Sequence, residues 1–153
     1  MKSQSTTNNN AFSVTLVAVE CKQFYDRLAG EKIILSPDTL QVSHSLSIII
    51  KNDRKLEIEV GMKYGDNNIE YSELKLLFQF DVTGLSQLMK VEDASKKISF
   101  DKALLFVVVP VAFSTARGYY AAKLEDSPLS RFPFPLLRTD ALVSTCRIML
   151  AEK

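Results

Sequence analysis

Apolar and polar residues alternate through the first half of the chain. Phe12, Val14, Leu16 and Ala18 share one parity, with Ser13 and Thr15 on the other, and the pattern continues less cleanly toward Tyr25. Leu40, Val42, His44, Leu46, Ile48 and Ile50 alternate with Gln41, Ser43, Ser45 and Ser47. Leu56, Ile58, Val60, Met62 and Tyr64 alternate with Glu57, Glu59 and Lys63. Leu74, Leu76, Phe78, Phe80 and Val82 face away from Glu73, Lys75, Gln79 and Asp81. A period of two predicts half-buried strands. Asn52-Asp53 and Gly65-Asp66-Asn67-Asn68 supply residue types that tolerate left-handed turn conformations. Ile69 and Tyr71 sit on the other parity from Leu74, which predicts a bulge near Ser72. These runs predict a four-stranded antiparallel meander, one face apolar and the other largely wet.

After Gly84 the period changes. Leu85 to Ile98 is mixed and reads as a connector with a short helical turn. A long helix is predicted from about Ser99 to Leu124–Asp126, with Asp101 favourable at its positive end. Pro110 should kink or interrupt it, and mixed propensity leaves a strand over Val107 to Val111 open. A loop rich in proline and phenylalanine follows, Ser127 to Leu136. A last helix is predicted from Thr139 or Asp140 to Leu150, since Leu142, Cys146, Met149 and Leu150 keep helical spacing. Strands first and helices last make the fold class α+β. A polar tail, residues 1–10, reads as disordered, and residues 11–153 read as a single domain.

Ala103 to Phe113 carries no charge and no strong polar group. The run is shorter than the roughly 20 residues a membrane-spanning helix needs, so no membrane insertion is expected. A helix apolar on every side must be covered on every side. That predicts a second copy of the chain, docked on Leu105, Val109, Ala112 and Ala116.

The chain has 153 residues, 46% hydrophobic and 24% charged, the composition of one soluble domain. Its net charge of +1 gives no basic excess for nucleic acid. The pairs Arg54-Lys55 and Lys96-Lys97 read as solvated loop charges. Cys21 and Cys146 form no framework and point to a reducing compartment, with both thiols read as inert and buried. With no apolar leader at the N-terminus, the reading is cytoplasmic.

Candidate chemistry is sparse. The single histidine, His44, lies on the apolar parity of a strand and reads as partly buried. No metal spacing, phosphate loop or nucleophile elbow is present, so no cofactor, metal or catalytic residue is expected. Tyr119, Tyr120, Phe132, Phe134, Leu136 and Leu137 cluster around the helix end and the proline loop. Flat rings on an extended loop can line a groove for apolar side chains. The same loop can instead plug its own core, and both readings stay open at this stage.

Val111-Ala112-Phe113-Ser114-Thr115-Ala116-Arg117 resembles the Phe-Pro-Tyr-Ala-Arg motif in the long helix of the export chaperone SecB family. Phe132-Pro133 is similar to the family's loop after that helix. Asp140-Ala141-Leu142 resembles the start of its last helix, and Phe80-Asp81-Val82-Thr83-Gly84 can be laid on a strand ending in Phe-Ser-Ile-Ala-Gly. The resemblance runs from about Ala11 to Leu150. It implies a dimer of dimers that holds unfolded polypeptides in surface grooves without ATP, here lined by Tyr119, Tyr120, Phe132, Phe134 and Leu136. It also implies a docking face on the sheet, with Tyr71, Glu73, Glu57 and Glu59 as its candidates. The family hands export precursors to the motor SecA, and a branch serves toxin–antitoxin systems. Ser114-Thr115 in place of Pro-Tyr, and the near-neutral charge, are departures, and the second counts against SecA docking. A dedicated partner-binding module and a small-molecule or lipid carrier are the alternatives.

Overall fold

The computed structural model describes residues 12–92, 94–95 and 97–151. The N-terminal tail and Lys96 lie outside them. The fold is α+β. Its main sheet contains β1 (Val14–Asp26), β2 (Gln41–Ile50), β3 (Lys55–Asp66), β4 (Ile69–Val82) and β7 (Arg147–Leu150), in the order β1-β4-β3-β2-β7. A second, two-stranded sheet pairs β5 (Met89–Glu92) with β6 (Lys97–Phe100). The helices are α1 (Lys102–Lys123) and α2 (Thr139–Thr145).

The alternating runs form strands as expected, and the turns follow from their residues. Asn67 and Asn68 both have positive φ, 40° and 73°, which suits a tight hairpin between β3 and β4. The Asn52 side chain accepts from the backbone N–H groups of Arg54 and Lys55, at 2.9 and 2.7 Å, and closes the other hairpin. Opposite Gly65 the register jumps from Ser72 to Glu70, so Tyr71 is the extra residue of a bulge.

Four points differ from the sequence reading. First, only β2, β3 and β4 form a meander. β1 pairs with β4, so the long connection Arg27–Leu40 crosses to the far side of the sheet in a Greek-key order. Second, the connector contains the β5–β6 hairpin, and α1 therefore starts only at Lys102, capped by the Asp101 carboxylate accepting from the Ala103 N–H at 2.9 Å. Third, of the two outcomes expected of Pro110, interruption does not occur: α1 continues through it. The bond that proline forfeits is to the carbonyl of Phe106, an exposed residue where water can replace it. Fourth, the last helix stops at Thr145, and Arg147–Leu150 becomes a strand parallel to Ser47–Ile50. The open edge of β2 offers those four residues a hydrogen-bond ladder, which overrides a short helical spacing.

The core lies between the inner face of the sheet and α1. Leu46, Ile48 and Ile50 from β2, Leu56 to Tyr64 from β3, and Leu74 to Val82 from β4 meet Leu104, Leu105, Val108, Val109, Ala112, Phe113, Ala116 and Tyr120 of the helix. Ile58 of the central strand is fully buried between Ile48 and Phe78. Ile58→Ala should therefore cost about 2–5 kcal/mol. Glu59→Ala, on the opposite face, should stay within about 0.5 kcal/mol. Urea-denaturation midpoints compare the two.

Candidate functional site

The proline loop comes off α1 at Ser127, whose hydroxyl accepts from the Leu129 N–H at 3.3 Å, and forms one 3₁₀ turn over Pro128–Arg131. Pro133 and Pro135 then keep the chain extended. The Tyr64 hydroxyl donates to the Phe132 carbonyl at 2.6 Å, and Arg117 Nε and Nη2 both donate to the Phe134 carbonyl at 3.0 and 2.8 Å. These bonds pin the loop back against β3 and the helix.

Pinning carries part of the loop into the core. Phe134 is buried edge-on to Tyr64 and Phe113, with ring centroids 5.7 and 6.1 Å away. Tyr120 is buried beside Tyr64 and donates to the Ser72 hydroxyl, which in turn donates to the Tyr25 carbonyl, both at 2.8 Å. Tyr120 and Phe134 are thus core residues first, and the plugging reading holds for them. Tyr119 is half-buried under the Lys123 ammonium, 5.6 Å from its ring, and Leu136 is 82% exposed beyond the cleft.

An open cleft of about 290 Å³ does remain between α1 and this loop. Tyr64, Tyr120, Phe132 and Phe134 line it from the core and loop sides, and Ser114, Arg117 and Gly118 from the helix. Of the five predicted groove residues it gathers three, Tyr120, Phe132 and Phe134, and leaves out Tyr119 and Leu136. Arg117 and Gly118 were not expected as lining. A glycine inside a helix, next to the single cation of a motif already singled out, was the available signal.

The helix turns a different face outward from the one predicted. Leu105, Val109, Ala112 and Ala116 are buried against the subunit's own sheet and are not available to a partner. The uncovered face carries Ala103, Phe106, Val107 and Val111, the last three 42–45% exposed. β1 adds a second open patch. Leu16 pairs with Phe80 and Val19 with Phe78, which sets them on the core side of the sheet, yet they are 40% and 42% exposed. By length and composition alone α1 could also cross a membrane, although its buried face belongs to the core.

The outer face of the sheet is charged but less wet than its pattern suggests. Glu73 is buried. It accepts from Gln23 Nε2 at 3.2 Å and pairs with Lys75 and Lys63 at 3.5 and 3.8 Å. Tyr71, the bulge residue, packs against the core. Glu57 pairs with Lys51 at 3.6 Å, and Glu59 is half-buried. The four docking candidates therefore make no shared acidic patch: Glu73 is enclosed by Lys63 and Lys75, Glu57 is paired to Lys51, and the strand neighbours of Glu59 are Ser47 and Leu77.

His44 is half-buried edge-on to Phe113 at 5.6 Å, and burial lowers its pKa. Cys146 is half-buried with its thiol pushed up to about 11 by desolvation, an unreactive state. Cys21, expected in the core, is exposed, because the inner side of β1 is uncovered. Among the described residues no three His, Cys, Asp or Glu side chains gather as a metal would require.

No family model matches the chain, and no curated protein matches it in sequence.

Burial pushes the Tyr64 phenol up to about 12 from its ordinary value near 10, against the opposing pull of Arg117. A raised folded-state value means that the neutral phenol's contribution is complete below pH 10 and is lost as pH rises through 12. Stability should fall across that window, and Tyr64→Phe should flatten the fall; chemical denaturation at pH 9, 10 and 11 measures it. A Cβ at Gly118 meets nothing within 4 Å. Gly118→Ala should therefore raise helix stability by about 0.5–1 kcal/mol, read as a higher melting temperature.

Proposed function

We propose that this chain is the subunit of a homo-oligomeric, ATP-independent holdase that binds unfolded or partly folded polypeptides without chemistry in the cytoplasm. The observation that carries the reading is the apolar surface its own fold leaves open. Ala103, Phe106, Val107, Pro110 and Val111 follow a spacing of three and four along α1, so they form one stripe. Leu16, Val17 and Val19 add exposed apolar area on β1. A second copy on the helix stripe would cover the area that one subunit cannot, and the cleft beside the proline loop would take client side chains. Burial of client area contributes about 25 cal/mol per Å², much of it offset by ordering the client. Each contact is then weak, and holding needs several subunits. The element order of strands, long helix, proline loop and short helix is the one the SecB resemblance implies. SecA docking has less support, since Glu73 is consumed by its own lysines.

A dedicated partner-binding module is the second reading. The small size of the cleft favours it, because about 290 Å³ takes a few side chains and not a long track.

Light scattering should give an oligomer at micromolar concentration. The double variant Phe106→Asp/Val111→Asp should shift it to a smaller, still folded species, because both positions are exposed in the subunit. At several-fold excess and without ATP, the native protein should slow aggregation of a refolding enzyme, and the double variant should do so less well. A monomer that leaves aggregation unchanged would remove the holdase reading. An oligomer that protects one partner alone would favour the second.

A further inference from the structure

Among the described residues that line the cleft beside the proline loop, one is charged. Arg117 spends two donors on the Phe134 carbonyl, a neutral acceptor, and enters no ion pair among the described residues. A half-buried guanidinium with only a carbonyl for company is electrostatically under-compensated. It keeps N–H groups of a rigid fork that matches a carboxylate. The walls around it are aromatic, and their hydroxyls are already committed, Tyr64 to the Phe132 carbonyl and Tyr120 to the Ser72 hydroxyl. Among the described residues no carboxylate lines the cleft to compete for the cation. Gly118, one residue on, leaves open space where a side chain would stand. The site therefore joins an apolar, ring-lined volume to an uncompensated positive charge, with room for an approaching backbone.

We propose that this cleft selects polypeptide segments in which an aspartate or glutamate stands beside a large apolar side chain, the carboxylate meeting Arg117 and the apolar group the rings of Phe132 and Phe134. The proposal rests on the polypeptide-binding reading above and adds a sign to its specificity. Charge complementarity argues for this occupant. A basic segment would bring a second cation to Arg117, and a wholly apolar one would leave the guanidinium desolvated and unpaired.

The test varies the ligand and leaves the protein intact. Three nine-residue peptides, acetylated and amidated so that their ends carry no charge, share a central Leu-Phe followed by Asp, Asn or Lys. Calorimetric titration of the native oligomer should rank Asp tightest, about ten-fold over Asn, and Lys weakest, with the spread narrowing as salt rises. Gly118→Leu puts a side chain into the cleft at a helical position free of contacts. It should abolish the preference for Asp while leaving solution mass unchanged and the melting temperature no lower than that of the native protein. Equal affinities, or Lys tightest, would overturn the proposal and leave polypeptide binding standing. A preference for Asp that survives in Gly118→Leu would also overturn it, because the carboxylate would then be read elsewhere. No binding of any peptide would remove the polypeptide-binding reading and this proposal together.

Discussion

A sheet of five strands is wider than the one long helix that covers it. Strands lie about 4.8 Å apart, so five span about 20 Å, whereas a helix with its side chains is about 10–12 Å across. α1 packs over the middle of the sheet, where the inner faces of β3 and β4 are sealed. The short α2, through Leu142, helps on the side of β2. Nothing of equal size remains for β1, and its inner side stays open at Leu16, Val19 and Cys21. Among the described residues the far side of α1 has no second layer either. The exposed apolar area thus follows from a mismatch of widths.

The same constraint explains the aromatic loop. The end of the sheet beside Tyr64 lies where α1 is finishing, and the loop that leaves the helix must supply the missing cover. Phe134 does so, held by Arg117, and Phe132 follows through the bond from Tyr64. The cleft is the space this makeshift lid does not fill. A charged group and an aromatic wall come together there because one residue, Arg117, both pins the lid and faces the gap.

How much of this was legible depends on whether an element's neighbours are local in sequence. The alternation of Leu56 to Tyr64 and Leu74 to Val82 gave strands, inner face and hairpins, since a period of two needs no knowledge of the partner strand. The bulge at Tyr71 was visible as a change of parity. Placement of β1 beside β4 was not, because the two bulges in β1, at Val17 and Lys22, scramble its parity and no turn ties it to β4. Nor was β7, whose four residues become a strand only because β2 has a free edge. The long helix was readable, but not which side faced inward. Ala103 to Phe113 is apolar all round, so its sequence has no polar stripe to mark the open face. In the candidate site, the aromatic residues were readable as a cluster, whereas the division between core and cleft depended on three hydrogen bonds to two backbone carbonyls.

The late strand β7 has a kinetic consequence. Ser47 pairs with Arg147, so the ladder joins residues 100 positions apart. Closing so large a loop is entropically expensive before any contact forms, and a topology of such distant pairings folds slowly. During that delay β2 is an unguarded edge carrying Ile48, Ile49 and Ile50, the kind of template on which neighbouring nascent chains join. Until Arg147–Leu150 docks, that edge is the part of the sheet most open to pairing with another chain.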